Sequence, residues 1–76
     1  MAKKLHVNTA QITGPELEAI ARRAGFGIFP GGRHNKVKAQ DGRSITMIPR
    51  HGKVKRPLAK KIVEEMNACG AHITFT

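Results

Sequence analysis

Two Arg-His pairs bracket one stretch of the chain. Gly31-Gly32-Arg33-His34 precedes it and Pro49-Arg50-His51-Gly52 follows it. Imidazole gives or takes a proton near neutral pH, and an adjacent guanidinium holds an anion while the proton moves. The combination suits proton transfer at a phosphate. Gly31 and Gly32 would let such a phosphate approach the backbone N–H groups before His34.

The charge lies in the same part of the chain. The net charge of +9 over 76 residues is concentrated between Arg33 and Lys61, where ten basic residues stand against one acid, Asp41. Outside that segment, Lys3, Lys4, Arg22 and Arg23 balance Glu16, Glu18, Glu64 and Glu65. Solubility alone does not require segregated charge, so the asymmetry points to a polyanionic partner, nucleic acid first. With RNA, the chemistry becomes specific. The 2′-hydroxyl loses a proton as it attacks phosphorus, the departing 5′-oxygen gains one, and negative charge builds on the phosphoryl oxygens between. Histidine, with an ordinary pKa of about 6.5, suits either transfer. Arg33, Lys36, Lys38, Arg50 and Lys53 are the candidates to hold phosphate. The route needs no metal and no cofactor, and carboxylates for a divalent ion are scarce in the basic segment.

These residues must be positioned by a small fold. Seventy-six residues allow a single domain spanning 1–76. Thr13-Gly14-Pro15-Glu16 predicts a helix start with a capping box, and Leu17, Ile20, Ala21 and Ala24 follow at helical spacing up to Gly25. Phe26–Phe29 predicts a strand. From His34 the chain alternates, with His34, Lys36 and Lys38 on one face and Asn35, Val37 and Ala39 on the other. Asp41-Gly42 signals a turn. Residues 44–48 predict the return strand, with Ile45 and Met47 on its apolar face, and Pro49 ends it. A basic loop, 50–56, leads to a helix opening near Pro57. That helix buries Ala59, Ile62, Val63 and Met66, flanked by Leu58 and Cys69, and turns Lys60, Lys61, Glu64 and Glu65 outward. Short alternations at both ends, about 1–11 and 71–76, predict terminal strands. The fold class is α+β: a three-stranded antiparallel sheet with two helices on one face and the basic residues on the other.

Cys69 is alone and no Cys-x-x-Cys occurs, so neither an intramolecular disulfide nor a structural zinc cage is expected, and a reducing, cytoplasmic setting fits. No apolar run approaches a membrane span or a signal-peptide core. The chain has no Trp or Tyr, and its three Phe are assigned mainly to the core. Recognition by base stacking is therefore not expected, and binding should rest on phosphates and shape. His34 follows two glycines and shares a face with lysines. His51 is either a second proton carrier or a residue that orders the end of the hairpin. His6 and His72 are assigned structural or incidental roles.

The series Gly25-Phe26, Gly32-Arg33-His34, Asp41-Gly42-Arg43 and Ile48-Pro49-Arg50-His51-Gly52, followed by a helix near Pro57, resembles the HicA family of toxins over about residues 12–70. The resemblance implies a double-stranded-RNA-binding-domain-like α-β-β-β-α fold. It also implies an mRNA interferase of a type II toxin–antitoxin system that cleaves mRNA without a metal, with His34 as the catalytic histidine. A HicB-like antitoxin would bind and cover the active face. The family often has Gly-Ser-His where this chain has Gly32-Arg33-His34. The terminal segments also exceed the usual core; they are expected to pair as an extra ladder or to lie along a partner's edge. The competing reading is a non-catalytic basic RNA-binding module. A DNA-binding regulator fits less well, since no helix-turn-helix pattern is visible.

Overall fold

A computed structural model describes residues 5–50 and 52–76; His51 and the first four residues lie outside it. Its elements run β1 (Leu5–Val7), β2 (Ile12–Thr13), α1 (Gly14–Arg23), β3 (Gly27–Phe29), β4 (His34–Lys38), β5 (Ser44–Pro49), β6 (Lys53–Val54), α2 (Arg56–Ala68) and β7 (Ile73–Phe75). The fold is α+β, with two helices and an antiparallel sheet in the order β3-β4-β5.

α1 begins where its sequence predicts. The Glu16 backbone N–H donates to the Thr13 hydroxyl at 3.3 Å, and the Thr13 N–H donates to the Glu16 carboxylate at 3.2 Å. This reciprocal pair satisfies donors that the first helical turn leaves open. Leu17 and Ala21 are buried, and Ile20 and Ala24 pack beside them. α2 buries Ala59, Ile62, Val63 and Met66. Both helical stripes join Val37 of β4 and Ile48 of β5 in one core, so both helices cover the same sheet face.

The β4–β5 hairpin corrects one expectation. Its loop ends as a three-residue connection, with Gly42 in the left-handed region at φ 90° and the Ala39 N–H bonded to the Arg43 carbonyl at 2.9 Å. Continued without interruption, that register would set Val37 opposite Ile45 and Asn35 opposite Met47, turning Ile45 and Met47 inward. Instead Lys38 pairs with Ser44 while Val37 pairs with Thr46, so Ile45 is the extra residue of a β-bulge. One inserted residue reverses every side chain beyond it. Thr46 and Ile48 now face the helices, and Met47 stands opposite Lys36 on the outer face, 53% exposed.

The ends of the chain form their own ladder, as one of the two expectations had it. β1 and β7 pair in parallel, Leu5 with Ile73 and Val7 with Phe75. Leu5, Val7 and Ile73 are buried in the main core, so the ladder is continuous with it. The Asn67 side-chain amide donates to the Ile73 carbonyl and accepts its N–H, both at 2.9 Å, standing in for a neighbouring strand. His6 on this ladder lies 2.8 Å from the Thr74 hydroxyl through Nδ1. The 50–56 segment is not wholly a loop: β6 pairs antiparallel with β2, Ile12 opposite Val54 and Thr13 opposite Lys53. That short ladder fastens the basic segment to the start of α1.

Candidate active site

His34 opens β4. Because Val37 points into the core, the alternation of the strand sends His34, Lys36 and Lys38 to the outer face. The turn before it is tight. A Cβ on Gly31 would collide with the His34 carbonyl oxygen, so only glycine fits there. Arg50 fastens the same turn: its Nη1 donates to the carbonyls of Gly31 and Gly32 at 3.1 and 3.2 Å. The Arg50 backbone N–H also donates to the Arg33 carbonyl at 3.1 Å, extending the β4–β5 ladder beyond the His34–Pro49 pair.

The ladder thus sets Arg33 and Arg50, far apart in sequence, side by side at one end of the hairpin. His51, the second candidate proton carrier, lies outside the described residues. The His34 imidazole makes no hydrogen bond or ion pair among the described residues and is exposed, so it can meet a substrate directly. Arg50, a candidate phosphate ligand, uses one nitrogen to hold the turn, and its Nε and Nη2 have no partner among the described residues.

The basic face carries little internal neutralisation. Among the described residues the one salt bridge is Arg43 Nε to Asp41 at 2.9 Å, in the turn at the far end of the hairpin. The Arg43 backbone N–H bonded to the Asp41 carboxylate, and then the Arg43 guanidinium, hold that carboxyl below its usual range. Lys53 is exposed on β6. α2 adds to the field: its N-cap is Lys55, which makes no side-chain cap bond, and no acid occupies its first turn. The positive end of the helix therefore sits beside Arg56, Lys60 and Lys61 rather than being offset by carboxylates. Among the described residues no three His, Cys, Asp or Glu side chains converge as a metal site requires.

Several residues at the site have roles their sequence positions did not suggest. Phe26 and Phe75 pack against the core, but Phe29 is 49% exposed and stands opposite Lys36 on the outer face. The Lys38 ammonium lies 4.9 Å from the centre of its ring, so part of that lysine's charge is engaged in a cation–π contact. Glu65, expected to face outward, accepts a hydrogen bond from the Thr46 hydroxyl at 3.0 Å and ties α2 to β5. Leu58, noted only as a flank of the helical stripe, is 38% exposed.

An open pocket of about 400 Å³ lies between β5 and α2, and His34 and Lys36 form one wall of it. Ile45, Met47 and Leu58 supply its apolar surface, with Lys61 and Glu65 on the helix side. The bulge at Ile45 is the signal that could have revealed this pocket, but a bulge of this kind carries no fixed residue code.

No known family model matches the chain, and no curated protein and no solved structure is detectably similar to it. No helix among the described residues is long and apolar enough to cross a membrane.

Proposed function

We propose that the chain is an endoribonuclease toxin of the mRNA-interferase type, acting in the cytoplasm on mRNA and neutralised by a HicB-like antitoxin. The arrangement of elements around the α1-β3-β4-β5-α2 core is then a variant of the double-stranded-RNA-binding-domain-like fold, with the β1–β7 and β2–β6 ladders added. One observation carries the reading. An exposed histidine with no internal partner among the described residues sits on a basic sheet face, on a turn whose backbone is locked by Gly31 and Arg50.

His34 transfers a proton at the scissile phosphate, either from the attacking 2′-hydroxyl or to the departing 5′-oxygen. The O2′–P bond forms as the P–O5′ bond breaks, leaving a 2′,3′-cyclic phosphate and a 5′-hydroxyl. Lys36 stands two residues along on the same face and, with Arg33 and Lys53, offsets the charge that builds on the phosphoryl oxygens. Arg50 positions His34 through the turn carbonyls and offers its remaining N–H groups to the same phosphate. The antitoxin, on this reading, presents an acidic surface to the basic face.

The test uses single-stranded RNA in the presence of chelator. Wild type should cleave it; His34→Ala should bind it without cleaving. His51→Ala reports whether a second proton carrier takes part. Tight binding with intact RNA by wild type would replace this reading with the non-catalytic RNA-binding one.

A further inference from the structure

The pocket between β5 and α2 combines three features on a basic surface. Its floor is apolar, its rim is cationic, and its helix-side wall sets a hydrogen-bond acceptor, Glu65, one turn from a donor, Lys61. Met47 and Leu58 are large apolar side chains left 53% and 38% exposed in a small domain that has few to spare. Ile45 joins them because the bulge inserts it there. Lys36 and His34 form the rim toward the proposed scissile phosphate. On the helix side, Glu65 accepts the Thr46 hydroxyl proton at 3.0 Å. With that proton committed, Thr46 presents only an acceptor to a ligand, and a carboxylate has about four acceptor positions, of which the bond fills one.

We infer that this pocket holds one nucleobase of the RNA substrate, next to the phosphate at His34, and that Glu65 selects guanine. The inference rests on the RNA-cleavage reading above and extends it from phosphate chemistry to base choice. Flat, apolar-faced bases fit a slot walled by methionine and aliphatic side chains, and about 400 Å³ lies within the roughly 300–1,000 Å³ range of small-ligand sites. The edge chemistry then discriminates. Guanine places two adjacent N–H donors, N1 and the 2-amino group, beside the carbonyl O6. Glu65 takes the two donors, and Lys61, one helical turn earlier on the same wall, gives a donor to O6. Uracil brings two carbonyls toward the carboxylate, and adenine and cytosine lack the paired donors. Lys36 and His34 hold the phosphate that is attached to the base.

The test is a titration of methyl-labelled full-length protein with each of the four nucleoside 3′-monophosphates, followed by NMR. Guanosine 3′-monophosphate should shift the Met47 and Leu58 methyl resonances and bind about tenfold or more tighter than uridine 3′-monophosphate, the discrimination expected of a bidentate base contact. Glu65→Gln keeps a side-chain acceptor for Thr46 and should abolish the preference with the fold intact by circular dichroism. Leu58→Ala should weaken all four nucleotides while keeping the preference. Equal binding of all four overturns the inference, as does no binding. Shifts centred on Phe29 would overturn it too, by moving the base to the outer sheet face. The nucleotides are not cleaved, so this arm stands whether or not RNA is cut. Cleavage of RNA without guanine preference would leave the nuclease reading standing and remove this one.

Discussion

Lys36 and Val37 are adjacent in sequence and opposite in circumstance. Val37 is fully buried among the residues of both helices, whereas Lys36 lies exposed between Phe29 and Met47 on the outer face. The inner face of the sheet follows one rule, removal of apolar area from water. The outer face breaks it. There, apolar side chains stay exposed among lysines, and the lysines have no salt bridge among the described residues. A surface that forgoes burial in this way serves a ligand more readily than it serves stability. Changes on the inner face should therefore show in folding, and changes on the outer face in activity.

The largest expected effect is on the outer face. His34→Ala should lower the RNA cleavage rate by about 10²- to 10⁴-fold, the usual contribution of a positioned acid or base, with the melting temperature unchanged. A variant that melts earlier, or cleaves as before, would break the division between the faces.

The next effect is on the inner face. Ile48 is fully buried, and Ile48→Ala should cost about 2–5 kcal/mol in denaturant unfolding. A domain of 76 residues holds roughly 4–11 kcal/mol in all, so this single change would remove a large part of it. Met47→Ala, one residue away, should stay within about 0.5 kcal/mol of wild type. If the two costs were exchanged, the bulge at Ile45 would be misplaced and the faces reversed.

The terminal ladder sharpens the comparison because it belongs to the inner side without touching the proposed site. Deleting residues 71–76 removes the buried Ile73 side chain, worth about 1.5–3 kcal/mol, together with the strand that pairs with β1. The melting temperature should fall, while cleavage measured well below it should persist.

The smallest effect lies at the far end of the hairpin. Asp41 is held below the ordinary carboxylate pKa of about 3.9 by the Arg43 backbone N–H and guanidinium. A carboxyl with a lowered folded-state pKa stabilises the fold above its unfolded value and loses that contribution as pH falls through the folded one. Thermal melts of wild type and Asp41→Asn should differ slightly at pH 7 and converge as the pH falls through the lowered folded-state pKa of Asp41.

Much of this was legible in the chain. The Thr13–Glu16 capping box, the apolar stripes of both helices and the outward alternation of His34, Lys36 and Lys38 are local patterns. Each is set by interactions within a few residues, so composition and spacing suffice to read them. The site was only partly legible. Arg50 looked like a phosphate ligand and proved also to be a fastener of the Gly31-Gly32 turn, because its partners are backbone carbonyls that no residue type advertises. Two of the three Phe, Phe26 and Phe75, pack against the core as expected, whereas Phe29 lies outside, since a short apolar run does not say which of its faces will be covered.

What the amino acids determined by themselves is therefore the inventory: two amphipathic helices, a basic hairpin and a histidine behind two glycines. What only the tertiary structure decided is which side chains share a surface. The bulge at Ile45 turned Met47 outward, and β1 met β7 across almost the whole chain. Both are choices of register and pairing. They depend on how the whole core closes, with loop entropy and burial weighed together, and no local segment carries that balance.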